Sequence, residues 1–223
     1  MSRIAVERVT DVVYRALREA ILNGELTPGG RLDVNDLADR LKVSRTPVAE
    51  SLALLASQGL VEIQPRKGSF VKRITAREVA ETFDVRGALE ALAGEQLAAT
   101  RTDADLVELD AALAAVNRVD ASKTGDEHDV ANAELHRLVV DLGRNGQLIR
   151  MYDGLQAHVQ IARLHRSSVD WRLRAPQEAQ EHAAIVSAIR AGDQAGAAAV
   201  IRAHIQRGKH SLLQDIERLT SAG

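Results

Sequence analysis

The sequence predicts a mainly α-helical protein of two domains: a winged helix-turn-helix unit at the N-terminus and an all-helical bundle after it. Three observations carry this. Apolar residues fill 45% of the 223 positions but aromatics only 2%, with four prolines, so the cores are Leu, Val, Ile and Ala, a mix that favours helices. Apolar positions recur at helical spacing along nearly the whole chain, and the two strand-like runs, 60–64 and 69–73, sit close together near the N-terminus. Charge divides the chain just after them: residues 1–74 carry 12 Lys/Arg against 9 Asp/Glu, whereas residues 75–223 carry 17 against 22. A mildly basic third joined to an acidic remainder is the pattern of two domains with different partners. The expected boundary therefore lies between 1–74 and 75–223.

Composition also excludes. The absence of cysteine removes disulfides and thiolate metal sites and fits a reducing compartment. No apolar run approaches the length of a membrane span, and the first residues lack a signal-peptide core. The expectation is a soluble, cytoplasmic protein with no membrane partner.

In the first domain, Val13, Ala16, Leu17, Ala20 and Ile21 define a helix over 10–23, stopped by Asn23-Gly24. Thr27-Pro28-Gly29-Gly30 is a turn, and Asp33 caps a second helix with Leu37, Ala38 and Leu41 on one face. Lys42-Val43 connects tightly to a third helix that runs to about Gln58. Its inward residues are Val48, Leu52, Leu55 and Ala56, and Gly59 ends it. The start of this helix, Val43-Ser44-Arg45-Thr46-Pro47-Val48, is the most informative stretch. Ser44 is a good N-cap, Pro47 is tolerated in the first turn, and Arg45 and Thr46 lie where a helix N-terminus attracts phosphate or a guanine edge. Pro65-Arg66-Lys67-Gly68 then joins the two strand-like runs as a hairpin with a basic tip. Three short helices and a basic hairpin make a winged helix-turn-helix, with all strand content in the wing. The third helix is expected in the major groove of double-stranded DNA and the wing along its backbone or minor groove.

These residues resemble the GntR superfamily of bacterial regulators. The resemblance is carried by Ala20-Ile21-Leu22-Asn23-Gly24-Glu25-Leu26-Thr27-Pro28-Gly29, Leu37-Ala38, residues 43–48, Gly59-Leu60-Val61 and Arg66-Lys67-Gly68-Ser69-Phe70-Val71. The family usually has Arg-Glu-Ala-Leu after the Pro-Val pair, where this chain has Ala49-Glu50-Ser51-Leu52. The resemblance implies that the replaced arginine touches DNA, so Ala49 removes one expected contact. It also implies that Arg45 reads base or phosphate, that Ser44 and Thr46 hold phosphate, and that Arg66 and Lys67 serve the wing. Gly68 would allow close backbone approach.

Beyond residue 75 the pattern is helical throughout. Thr75 caps a helix to about Thr100 and Asp103 caps another to about Val119; further helices fall near 127–142, 146–167, 176–191 and 194–219. A polar break at 120–125 is the expected flexible loop. Pro176, Gly143 and Gly192-Asp193 mark boundaries, and the short connections impose an antiparallel bundle. His136, His182 and His204 lie on apolar faces of three different helices. Each would need a buried partner, and a shared divalent metal answers all three requirements. Neutral imidazoles suit Zn, Ni or Mn, and Asn132, four residues before His136, can add a carbonyl oxygen, whereas Asp129 is a further turn away. His158 and His165 share a face of another helix, and His210 sits among polar neighbours.

Asn132-Ala133-Glu134-Leu135-His136-Arg137, Glu181-His182-Ala183-Ala184-Ile185, Gly192-Asp193, His204 and Phe83-Asp84-Val85-Arg86-Gly87-Ala88-Leu89-Glu90 resemble the FCD ligand-binding domain of the FadR-like branch. This implies a helical bundle around a cavity, often holding a metal that helps to bind a small carboxylate. His136, His182 and His204 become metal ligands, with Asn132 where many members have Asp. Arg86 either forks onto an effector carboxylate or pairs with Glu90 at i, i+4. The expected protein is a homodimeric, metabolite-responsive regulator, a repressor by family habit, that binds operator DNA and a small organic acid. Two alternatives stay open: a bundle that only dimerises, without metal, and an all-α metalloenzyme. No His-Glu-x-x-His motif accompanies the histidines.

Overall fold

The computed structural model describes residues 8–118, 125–163 and 171–221. Helix α1 (Val9–Leu22) buries Val13, Leu17 and Ile21, one stripe at helical spacing. The turn after it is closed by the Gly30 N–H donating to the Thr27 carbonyl at 2.8 Å. Helix α2 (Val34–Leu41) starts where the Asp33 carboxylate accepts from the Asn35 and Asp36 N–H groups at 2.8 and 3.3 Å. Lys42, at φ 55°, turns the chain sharply into α3 (Arg45–Ser57).

Helix α3 corrects one expectation and meets another. Ser44 takes the N-cap position with extended backbone, but its exposed side chain makes no capping hydrogen bond. At the other end Gly59, at φ 71°, closes the helix as expected. The Leu60 N–H donates to Leu55 and the Gly59 N–H to Ala56, both at 3.0 Å, the paired bonds of a Schellman motif.

Strands β2 (Val61–Gln64) and β3 (Gly68–Val71) pair antiparallel, with Gln64 opposite Gly68. The Lys67 N–H donates to the Gln64 carbonyl at 3.1 Å, and Pro65 and a positive-φ Arg66 occupy the two central turn positions. A third strand, β1 (Arg31–Leu32), pairs with β3 on its other side, giving the order β1-β3-β2. Strand content is therefore not confined to the hairpin. Two residues are too few to show a period in sequence; pairing alone makes them a strand. Leu17, Ile21, Leu37, Val48, Leu55 and Val71 are among the buried residues of this unit.

The remaining elements are α4 (Ala76–Thr100), α5 (Asp103–Asn117), α6 (Gly125–Leu142), α7 (Gly146–Arg163), α8 (Trp171–Ala191) and α9 (Gln194–Ser221). The cap of α5 is Thr102, one residue before the expected Asp103. Its hydroxyl accepts from the Asp105 N–H at 3.2 Å while the Asp105 carboxylate accepts from the Thr102 N–H at 2.8 Å, a reciprocal box that Asp103 cannot form. Pro176 lies inside α8 rather than at its start. It is exposed, so the carbonyl its missing N–H leaves unpaired has solvent near it. The expected loop at 120–125 lies outside the described residues up to 124, and so does 164–167, the end expected for the fourth of these helices.

Two compact units result. One comprises the described residues to Thr75 with those from Ala157 to Arg163; the other comprises the remaining described residues from Ala76. In the second, α4 and α9 approach closely: a Cβ added at Gly94 would clash with Ile201 Cδ1, and one at Gly87 would meet Ile205 at 3.4 Å. Among the described residues, no helix is long and apolar enough to cross a membrane.

Candidate metal centre and nucleic-acid interface

In the first unit, Ser44, Arg45, Thr46 and Ala49 are exposed on the first turns of α3, while Val48, Leu52 and Leu55 anchor the opposite face. Ser51, beside them, is fully buried, and its hydroxyl donates to a backbone carbonyl, with Pro47 at 2.7 Å and Thr10 at 3.0 Å. Glu50 accepts from the Thr10 hydroxyl at 2.8 Å. The helix is thus tied to α1 by polar as well as apolar contacts, and its N-terminal turn stays open. Arg66 and Lys67 are exposed at the hairpin tip, and Gly68 follows at φ 114°.

In the second unit, His136 from α6, His182 from α8 and His204 from α9 converge. All three are buried, and one ligand nitrogen from each lies within 4.8 Å of the others. His136 Nδ1 is 2.7 Å from Glu90 Oε2, and His204 Nδ1 is 2.7 Å from Glu181 Oε2. An ionised carboxylate only accepts, so both imidazoles carry a proton on Nδ1 and turn Nε2 toward the cluster. Those two Nε2 atoms are 3.1 Å apart. At that distance two lone pairs repel unless a proton or a metal cation lies between them. Nitrogens sharing one cation at about 2.0–2.1 Å sit roughly 2.9–3.4 Å apart. Neither ring nitrogen of His182, fully buried, has a hydrogen-bond partner, and neither has Asn132 Oδ1. Buried polar atoms left this way are costly, and a divalent cation would take up Asn132 Oδ1 and one nitrogen of the His182 ring. The residues present fit a metal.

Electrostatics agree with that chemistry. Burial pushes the His136 imidazole down to about 4 against the partial support of Glu90, and burial drives His182 lower still. Both are neutral at neutral pH, the form that binds metal. Burial opposes ionisation of Glu90, but Arg86 and His136 outweigh it and hold the carboxyl well below the usual range.

Behind the histidines lie further polar side chains that the sequence only partly indicated. Arg86 Nε donates to Glu90 Oε1 at 2.6 Å, and the buried Tyr152 hydroxyl from α7 donates to the same oxygen at 2.8 Å. Glu181 also accepts from Arg207 Nε. His128, buried on α6, lies 3.0 Å through Nε2 from Glu178 Oε2 on α8. The spacing His128, Asn132, His136 at i, i+4, i+8 could have flagged His128. The roles of Tyr152 and Glu181 arise from contacts between helices and leave no local signal. His158 falls in the stretch grouped with the first unit, and His165 lies outside the described residues. His210 is exposed and 3.0 Å from Gln214 Nε2.

Comparison with known proteins matches these units one by one. Residues 9–71 match the model of the bacterial regulatory proteins of the gntR family, and residues 81–207 match that of the FCD domain. A transcriptional regulator from an unstable DNA locus of Streptomyces ambofaciens is 32% identical, over 93% of this chain and 84% of its own. The transcriptional repressor RspR of Escherichia coli K12 is 26% identical, over 92% of this chain and 90% of its own. The solved structure of E. coli McbR/YncC superposes with a TM-score of 0.77 at 22% identity, covering 95% of this chain and all of that one.

Proposed function

We propose that this chain, which belongs to the GntR family of bacterial regulatory proteins and carries an FCD domain, represses transcription until a small organic acid binds beside a divalent metal in its helical unit. It is a metabolite-responsive DNA-binding transcriptional regulator rather than an enzyme. Repression is the finer reading, supported by the likeness to RspR.

On the DNA side, α3 enters the major groove with Arg45 toward a base edge and Ser44 and Thr46 toward phosphate. The uncapped first turn supports this, because its backbone N–H groups are free of the Ser44 hydroxyl and can meet an anion. Arg66 and Lys67 reach the backbone from the wing, and Gly68 lets the chain approach closely. A homodimer would place two such helices on half-sites about one helical turn apart. Val85 and Leu92, seven residues apart and exposed on α4, support a second copy as the partner.

On the effector side, His136, His182 and His204, with Asn132, would hold Zn, Ni or Mn. When bound, such a cation supplies a Lewis-acidic position for a carboxylate oxygen. Glu90 and Glu181 fix the ring orientation and tautomer of His136 and His204. Arg86 keeps Glu90 ionised through Nε. The effector acts by binding one dimer geometry better than another.

The observation that carries the metal reading is the close Nε2 pair of His136 and His204 beside the unpartnered His182 ring. It is tested by metal analysis and thermal melting of the purified protein with Zn, Ni and Mn. One ion per chain and a rise in Tm are expected, both lost when His182 and His204 are replaced by Ala. Equal metal content in wild type and double variant would refute the site. A melting temperature unmoved by metals and organic acids alike would favour a bundle that only dimerises.

A further inference from the structure

We infer that the histidine site offers a divalent cation no anionic ligand, so that the protein retains the cation firmly only together with a bound small-molecule anion. This rests on the metal reading above and goes further, because it concerns how metal and effector depend on one another.

The three histidines of the site are neutral donors, and the fourth candidate, Asn132, is a buried amide whose Oδ1 has no partner. Glu90 stands behind His136, not among the ligand atoms, and is matched by Arg86 at 2.6 Å. Glu181 stands behind His204 and is matched by Arg207. Glu90 and Glu181 thus each have their own guanidinium, and these two pairs sum to zero charge; Glu178, whose charge also reaches His182, stands behind His128 at 3.0 Å and not among the ligand atoms. A divalent cation placed among the histidines would meet no negative charge among its protein ligands, in a buried setting where its own charge is weakly screened and costly. Two outcomes relieve that cost: the cation leaves, or an anion joins it. Asp at position 132 would remove half of the excess; Asn132 leaves it to the ligand. The ligand class that fits is a small carboxylate carrying at least one full charge. Linkage makes the dependence mutual, so cation and anion raise each other's affinity by the same factor.

The experiment measures zinc affinity of the full-length protein against a competing chromophoric chelator, in chloride-free buffer of fixed ionic strength. Acetate is compared with acetamide, its neutral counterpart of similar shape. In the wild type, acetate is expected to tighten zinc binding about tenfold or more, a coupling of ordinary size, and acetamide is expected to do nothing. Asn132→Asp should bind zinc more tightly without acetate and respond to it far less. Asn132→Ala, which adds no charge and guards against misfolding of the Asp variant, should bind zinc more weakly yet keep the acetate response. Zinc bound equally tightly with acetate and acetamide would overturn the inference and leave the metal site standing. Zinc bound in neither condition would overturn the metal site itself.

Discussion

His182 is a fully buried imidazole with both nitrogens unpartnered, a residue that weakens the fold in which it sits. A polar atom buried without a partner costs about 1–3 kcal/mol. His182→Leu, similar in volume and without polar atoms, is therefore expected to raise the stability of metal-free protein by about 1–3 kcal/mol in urea titration. The same substitution should abolish the stabilisation by zinc. A variant both less stable and still zinc-responsive would show that the ring is held by something other than a metal. Arg45 presents the opposite case, an exposed residue with little to do in the fold. Arg45→Ala should leave Tm unchanged and weaken operator binding by about 1–3 kcal/mol if its side chain reads a base. Binding by fluorescence anisotropy checks this, and unchanged affinity would remove Arg45 from the interface. Ala49, one turn on, is also exposed and places no cation there.

Among the elements, α4 and α9 set the frame of the helical unit. The close approach at Gly94 lets Ile201 lie where a side chain would otherwise be, and Gly87 repeats the device two turns earlier against Ile205. The same two helices carry Glu90 and His204, so their spacing also sets the histidine cluster. Gly94→Val overpacks this seam and is expected to cost about 1–3 kcal/mol of stability. It should also lower zinc affinity by shifting His204 relative to His136. A variant as stable as wild type in denaturant titration would mean that the seam has slack. In the other unit, α3 is fixed by its Schellman end and by Ser51, and its N-terminal turn is left to the ligand.

For the molecule as a whole, the acid limit follows from its carboxylates. Asp33 is held low mainly by the Asn35 and Asp36 N–H groups, Asp84 mainly by Lys209, and Asp105 mainly by Arg144. A carboxyl with a depressed folded pKa binds protons more weakly folded than unfolded. Its contribution is complete above the unfolded value, near 3.9 for Asp, and is lost as pH falls through the folded one. Stability of the metal-free protein should thus be insensitive to these groups above about pH 5 and should drop below about pH 4. Asp105→Asn should flatten that drop, which urea midpoints measured across pH would show. An identical pH profile in the variant would remove the Asp105–Arg144 pair as a contributor.

The sequence by itself determined the fold class, the order and rough extent of the helices, and the histidines that belong together. Asp33, Gly59 and the stripe Val48–Leu52–Leu55 are local signals, since capping and amphipathic spacing act within a few residues of chain. The tertiary structure decided what depends on distant partners. Strand β1 exists only because β3 lies beside it, and Tyr152 and Glu181 become part of the histidine site only when α4, α7, α8 and α9 are packed. Arg86 shows the same division: four-residue spacing offered Glu90 as its partner, but only burial with His136 and Tyr152 made that pair the support of the histidine cluster. Side chains that act across helices are set by packing, and packing has no period in the sequence.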